Sequence, residues 1–296
     1  MYLIIGANGF LGSYIIKNIL ENTNSKIIAV CRDTTKVIEF GERVEWRSCD
    51  IESFKQVDDL TKDLEENKCK YKVIYLAAYH NPDLVEKNKK KAWNVNVTSL
   101  SYFLNQINNV DCLFYPSTDT VYGDGETTYH FKESDKLSPV NTYGQQKCLA
   151  EHLVTAYEFN VVRYPFLIAP SILTYKKHFY DKILDTISDG KPMEMFKDSF
   201  RSSLDFNTAA QLLINIMEIY SSTIPKILNI SGDDDLSKYD VGILIAKKYG
   251  IDSNLIVPIS ASDASDIFEA KRAKSTLMDN RLVKKILNLQ EIKIEI

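Results

Sequence analysis

A chain of 296 residues, 45% hydrophobic and 26% charged, has the composition of a soluble globular protein of one large domain or two small ones. Its formal net charge of −4 supplies no global field toward nucleic acid or an anionic membrane, and no apolar run approaches the roughly 20 residues that span a bilayer. Five dispersed cysteines without a CxxC pair, and no basic-then-apolar leader, give the expectation of reduced thiols and a cytoplasmic location.

Met1 to Ile5 is a short apolar run broken by Gly6, which reads as a buried strand. Leu11, Ile15 and Ile19 recur at helical spacing and predict an amphipathic helix ending near Asn22–Asn24. Strands are expected over Lys26–Cys31 and Val44–Trp46, a helix over Phe54–Glu66, and a strand over Lys72–Ala78. A helix over Ala92–Ile107, a strand over Asp111–Ser117, a helix over Tyr143–Tyr157 and a strand over Asn160–Tyr164 continue the alternation. Strands alternating with helices require crossover connections, and so an α/β, Rossmann-type, doubly wound parallel sheet with its ligands beyond the carboxyl ends of the strands.

After about Pro165 the rhythm loosens, with helices expected over Phe179–Ser188, Thr208–Tyr220 and Tyr239–Lys248 and short apolar pieces such as Ile227–Ile230 between them. The expected division is a dinucleotide-binding part, residues 1–165, and a smaller C-terminal substrate-binding lobe, residues 166–296, with room for one or two strands to return to the main sheet.

Gly6-Ala7-Asn8-Gly9-Phe10-Leu11-Gly12 follows the first strand and opens the first helix. Glycines at this GxxGxxG spacing permit a tight turn and let backbone N–H groups approach a pyrophosphate, where the helix N-terminus adds partial positive charge. The second strand ends in Cys31-Arg32-Asp33: the Arg32 guanidinium suits the 2′-phosphate of NADP, while Asp33 leaves NAD open. Asp50 and its neighbour Ile51 follow the third strand within reach of an adenine, and Leu76, Ala77 and Ala78 end the fourth where small side chains let backbone pass close to a cofactor.

Tyr143-Gly144-Gln145-Gln146-Lys147 is a YxxxK at a helix start, which puts Tyr143 and Lys147 on one face about 6 Å apart along the axis. A tyrosine with an ordinary pKa of about 10 relays protons poorly at neutral pH, and a neighbouring ammonium favours its phenolate. Ser117-Thr118-Asp119-Thr120-Val121-Tyr122-Gly123, at the end of the preceding strand, offers a hydroxyl to the substrate oxygen that Tyr143 protonates.

GANGFLG, STDTVYG, YGQQK and WNVNVTSL together resemble the extended short-chain dehydrogenase/reductase family over the whole chain. That resemblance implies Thr118, Tyr143 and Lys147 as the catalytic set and Asn96 as a supporting residue; Asn96, Tyr143, Lys147 and Tyr164 join the glycine-loop residues in the cofactor site. Leu76 to Glu86 (LAAYHNPDLVE), Ser117 to Asp119 and Arg272 to Asn280 (RAKSTLMDN) are most similar to the dTDP-4-dehydrorhamnose reductase branch. Sugar-nucleotide dehydratases usually carry STDEVYG; Thr120 stands here in place of that glutamate. The chain departs from the reductase branch at Ala273 for a proline, at Tyr122-Gly123, and at Arg163-Tyr164-Pro165-Phe166.

The resemblance thus implies an NADP-dependent (or NAD-dependent) reductase of a nucleotide-linked keto sugar, with Tyr143 as general acid. Tyr79, Thr118, Asp119, Arg201 and Arg272 are expected on the substrate side, the two arginines near its pyrophosphate, and a homodimer is allowed. Two alternatives stay open: an NAD-dependent nucleotide-sugar epimerase, and a non-catalytic NADP-binding regulatory subunit similar to that of methionine adenosyltransferase. The basic run Lys87–Lys91 reads as a solvated loop or helix start. His80, His130, His152 and His178 lack metal-ligand spacing, Asp233–Asp235 lacks the other ligands of a calcium loop, and no metal is expected. The seventeen tyrosines interleave with no basic stripe, so nucleic acid is not an expected partner.

Overall fold

Short β-branched and aromatic runs buried on both faces build the centre of the molecule, seen in a computed structural model that describes residues 1–261 and 268–296. The first half runs β1 (Tyr2–Ile5), α1 (Phe10–Asn22), β2 (Ile27–Cys31), β3 (Val44–Ser48), α2 (Phe54–Glu66) and β4 (Tyr71–Tyr75). It continues through α3 (Pro82–Lys87), α4 (Lys89–Trp93), a π-helical turn (Asn94–Thr98), α5 (Ser99–Gln106), β5 (Val110–Thr118), α6 (Thr142–Ala156) and β6 (Asn160–Tyr164). These strands join a seven-stranded sheet in the order β3-β2-β1-β4-β5-β6-β9, in which every neighbouring pair is parallel and β9 is Ile227–Asn229.

Each strand is sided. Tyr2, Ile4, Ile27, Ala29, Ile74, Phe114 and Val162 face one apolar layer, while Leu3, Ile5, Ile28, Val30, Val73, Leu113 and Val161 face the other. The first layer is closed by α1 and by α8 (Phe206–Glu218), which follows β7 (Met193–Phe196) and β8 (Phe200–Ser202). The second is closed by α2, α5 and α6, through Val57, Leu60, Leu100, Phe103, Ala150 and Val154. Residues after 165 therefore serve two places. Helix α8 and strand β9 belong to the main layers, whereas α7 (Phe179–Ser188), α9 (Lys238–Lys248), β7 and β11 (Ile256–Ile259) enclose a smaller apolar cluster around Tyr180, Ile183, Met195, Val241 and Ile245. Strand β10 (Asp235–Ser237) pairs antiparallel with β8, and α10 (Arg281–Leu287) packs beside the first layer. Among the described residues, no helix is long and apolar enough to cross a membrane.

Three sequence expectations shift. The expected strand over Lys72–Ala78 stops at Tyr75, because after the Leu76 N–H donates to the Ile5 carbonyl (2.7 Å) the chain turns out across the sheet edge. The expected helix over Ala92–Ile107 begins at Lys89, where the Asn88 side chain accepts from the Lys91 N–H (3.3 Å), and is interrupted by the π turn. Ile227–Asn229, read only as a short apolar piece, is the seventh strand.

Close backbone packing at the start of α1 makes Gly12 obligatory: a Cβ there would lie 2.3 Å from the Ala7 carbonyl oxygen, which is itself fixed by the β1 turn. Gly12→Ala is expected to lose about 1–3 kcal/mol of unfolding free energy by urea denaturation, the usual cost of overpacking a rigid contact. An unchanged midpoint would show that the turn relaxes.

Candidate active site

All strands of the sheet run the same way, so the ends of β1, β2, β4, β5 and β6 open onto one edge. The order reverses between β1 and β4, and that switch point places the loop after β1 next to the segment after β4. Gly6 has φ +84°, and a Cβ there would meet the Ala77 amide nitrogen at 2.7 Å, which explains the glycine at 6. Gly9 is the N-cap of α1 without a side-chain cap, and the first turn carries no acidic residue. The N–H groups of Phe10, Leu11 and Gly12 therefore point to the edge without an intrahelical partner, as an anionic ligand requires.

At the end of β2, Arg32 is exposed, while Asp33 spends its carboxylate on its own turn, accepting from the Thr35 N–H (3.0 Å) and hydroxyl (2.6 Å). Those bonds hold the Asp33 carboxyl below its ordinary pKa. Asp50 is similarly engaged, accepting from the Glu52 N–H (3.1 Å), and Ile51 packs against the second apolar layer. One segment that the sequence did not flag crosses this cradle. The Tyr175 hydroxyl donates to the Asn8 carbonyl (3.2 Å), Lys176 Nζ stands 4.6 Å from the Phe10 ring centre, and the His178 ring meets Phe10 edge-on at 4.8 Å.

Two of the expected site residues, Tyr143 and Lys147, sit on α6. Asn141 caps it by accepting from the Gly144 N–H (2.9 Å) and ties it to the C-terminal segment by donating to the Lys271 carbonyl (2.9 Å). Tyr143 is nearly buried against Val85, Ala92 and Tyr79, and among the described residues its hydroxyl makes no hydrogen bond. Burial, and then the charge of Asp119, push its pKa above that of an ordinary tyrosine, so it is a neutral phenol at neutral pH. One turn on, Lys147 donates to the Tyr115 hydroxyl (2.8 Å) and to the Pro116 carbonyl (2.8 Å). Burial lowers its pKa to about 7 against the opposing charge of Glu151.

Thr118 ends β5 with its hydroxyl donating to Asp119 Oδ1 (3.0 Å) and accepting from the Thr120 hydroxyl (3.2 Å). Asp119 also binds the Thr276 hydroxyl and pairs with Arg201 Nε (3.2 Å), although burial still raises its pKa. Asn96, in the π turn, is fully used within the chain. Its oxygen accepts from the Tyr79 N–H (2.8 Å), and its nitrogen donates to the Tyr79 carbonyl (3.1 Å) and to Gln146 Oε1 (2.9 Å). It locks the β4 exit to α6, which makes it a positioning residue in this conformation.

Behind the edge lies a buried polar network that sequence reasoning missed. Glu151, one turn beyond Lys147, pairs with Arg163 of β6 through Nη2 (2.7 Å) and Nε (3.1 Å) and accepts from the Ser117 hydroxyl. Arg163 also donates to the Tyr122 hydroxyl (2.8 Å), which donates to Asn229 Oδ1 on β9 (2.7 Å). Asn229 in turn donates to the Phe131 and Asp279 carbonyls (2.9 and 3.2 Å). The only hint in the sequence is a charged residue in the otherwise apolar strand Asn160–Tyr164.

Tyr164 is not brought to the edge. Alternation along β6 sends Arg163 toward α6 and Tyr164 the opposite way, where it is buried and donates to the Ala209 carbonyl of α8 (3.0 Å). Arg201 and Arg272 both reach the mouth of the site, paired with Asp119 and with Asp83 (2.7 Å), respectively. In the basic run, Lys87, Lys89 and Lys91 pair with Glu269, Glu86 and Glu52 at the surface.

The profile of the RmlD substrate binding domain family matches residues 1–294. A dTDP-4-dehydrorhamnose reductase of Aggregatibacter actinomycetemcomitans is 24% identical over 97% of this chain and 93% of its own. Among solved structures, a hypothetical dTDP-4-dehydrorhamnose reductase from Sulfolobus tokodaii superposes with a TM-score of 0.79 at 22% identity, over 99% of this chain and 97% of that one. A dTDP-4-dehydrorhamnose reductase from Bacillus anthracis str. Ames, in complex with NADP, superposes with a TM-score of 0.78 at 18% identity, over 99% and 94%.

Breaking the buried pair leaves an uncompensated charge beside Lys147 on α6. Arg163→Met is expected to cost about 3–5 kcal/mol in urea unfolding, as removal of one member of a buried ion pair does. A loss below about 1 kcal/mol, the range of exposed pairs, would contradict the assignment.

Proposed function

The chain belongs to the RmlD substrate binding domain family, and from that premise we propose that it is an NADP-dependent reductase of a nucleotide-activated keto sugar, dTDP-4-dehydrorhamnose or a close relative. One observation carries the reading: a glycine turn with no side-chain cap at the α1 N-terminus opens on the same sheet edge as a buried, neutral Tyr143 one helical turn from Lys147.

The cradle fits a dinucleotide. Gly6 and Gly12 leave no Cβ in the turn, three N–H groups face outward, and Arg32 is free to meet a 2′-phosphate while Asp33 is occupied. When bound there, the reduced cofactor supplies the hydride that converts the ketone carbon to an alcohol. The chain handles the proton. Tyr143 holds it on a phenol and gives it to the ketone oxygen as negative charge develops; its burial keeps the phenol protonated before the step. Thr118 turns its hydroxyl from Asp119 to that oxygen and orients it. As Tyr143 becomes phenolate, an ammonium on Lys147 offsets the new charge, and Glu151 opposes the burial that favours the neutral amine. Asn96 fixes Tyr79 and Gln146, and so the distance between the β4 exit and α6.

Tyr143→Phe removes only the proton donor. NADPH oxidation with dTDP-4-dehydrorhamnose, followed at the reduced-nicotinamide absorbance band, is expected to slow by about 10²–10⁴-fold in kcat with NADPH affinity preserved. Wild-type turnover in that variant would remove Tyr143 from the chemistry.

A further inference from the structure

The Lys147 side chain leaves α6 and is held by β5. Alternation along that strand turns Leu113 and Tyr115 into the apolar layer closed by α6, and Ser117 follows them with its hydroxyl on Glu151. Tyr115 is fully buried, and its hydroxyl oxygen accepts from Lys147 Nζ (2.8 Å), as does the Pro116 carbonyl beside it (2.8 Å). Nζ also stands 4.2 Å from the centre of the Tyr115 ring. One side chain thus offers the ammonium an oxygen and an aromatic face together.

The other groups that face Lys147 do not do this. Glu151, one turn along α6, makes no hydrogen bond to it among the described residues; its oxygens accept from Arg163 of β6 and from Ser117, so the nearest acid is already paired. Tyr143, on the same helix, is a neutral phenol. His80, beyond β4, is held below the ordinary histidine pKa by burial and then by Lys176 and Lys147, so it brings no anion. Burial lowers the Lys147 pKa to about 7 against Glu151, which leaves amine and ammonium nearly balanced at neutral pH. A hydrogen bond to a charged group shifts such a balance by about tenfold to hundredfold, so the two acceptors on β5 decide it. One is a backbone carbonyl. The other is the Tyr115 hydroxyl, which burial keeps as a neutral phenol, lending an oxygen without adding a charge.

We infer that Tyr115 is a positioning residue for the reaction: its hydroxyl seats the Lys147 ammonium on β5, one helical turn from Tyr143, and keeps that lysine charged for the step in which Tyr143 becomes phenolate. This rests on the reading of the chain as a reductase with Tyr143 as its acid. Tyr75 supplies the contrast. It lies one residue past the Ile74–Phe114 pair, fully buried, with its ring 6.3 Å from that of Tyr115 and its hydroxyl without a partner among the described residues. Of two neighbouring phenols in one layer, only Tyr115 bonds Lys147.

The test reads Lys147 directly and then the reaction. In the full chain carrying isotopically labelled lysine, the ε-carbon NMR signal that is missing from Lys147→Met is followed as pH is varied. Tyr115→Phe, which keeps the ring and loses the oxygen, is expected to lower the Lys147 midpoint by at least about one pH unit, tenfold in proton affinity. Tyr75→Phe should leave it in place, and fluorotyrosine at position 115, a weaker acceptor of similar size, should lower it by less. The same proteins are then compared in single-turnover oxidation of NADPH by dTDP-4-dehydrorhamnose. The rate falls as rising pH removes the ammonium, so in Tyr115→Phe that limb should lie about one pH unit lower while the acid-side rate stays close to wild type. An unmoved midpoint in both position-115 variants, an equal shift in Tyr75→Phe, an unmoved limb, or a rate lowered evenly at every pH overturns the inference and leaves the reductase reading standing. A midpoint that moves as expected, in a protein whose wild type does not oxidise NADPH with this substrate, keeps Tyr115 as the seat of Lys147 and overturns the reductase reading.

Discussion

The buried pair between Glu151 and Arg163 is the contact on which the site depends. It fastens α6, which carries Tyr143 and Lys147, to β6, and through Ser117 to the end of β5 where Thr118 begins. Through Tyr122 and Asn229 it extends to β9 and to carbonyls of the C-terminal segment, whose Thr276 reaches Asp119. Two charges taken out of water need excellent geometry and full hydrogen bonding to be tolerated. Here the guanidinium donates through all three nitrogens, and the carboxylate accepts from Arg163 and Ser117. The same carboxylate opposes the effect of burial on Lys147, so one pair bears on both the positions and the charges of the groups around it.

Burial acts in opposite senses on the two helix residues. It favours the neutral phenol of Tyr143 and the neutral amine of Lys147. For a residue that must donate a proton the first is an advantage, since the proton stays on the oxygen until the substrate alkoxide forms. The second is opposed, though not cancelled, by Glu151. At the same end of the sheet Asp119 accepts from Thr118 and pairs with Arg201, so it links the end of β5 to β8.

Much of this was legible in the sequence because it is local. Apolar runs of four or five residues ending in glycine or a charged residue gave the strands, and YxxxK and the spaced glycines lie at strand and helix ends as their chemistry requires. Family membership follows the resemblance carried by GANGFLG, STDTVYG and YGQQK. What stayed hidden is what chain-distant pairing decides. Ile227–Asn229 is too short to be a strand by its own pattern and becomes one only by adding to β6. Arg163 reads as an interruption in a strand until Glu151 is placed against it. Tyr115 reads as one more aromatic in a buried strand, and only the packing of α6 against β5 brings its hydroxyl to Lys147. Tyr164, placed in the cofactor site by the resemblance, has its ring turned into the core by strand alternation, which the motif alone does not show.

The central claim is that the chain delivers hydride to a keto sugar and releases oxidised cofactor each turnover. The most direct measurement follows the label from NADPH deuterated at the transferring position of C4 into the product of dTDP-4-dehydrorhamnose, by mass spectrometry and NMR. The account predicts one deuterium on the former ketone carbon and one equivalent of NADP formed for each sugar reduced. An isomerised sugar with no net NADPH oxidation, or NADPH that binds and is recovered unchanged beside unaltered substrate, would contradict it.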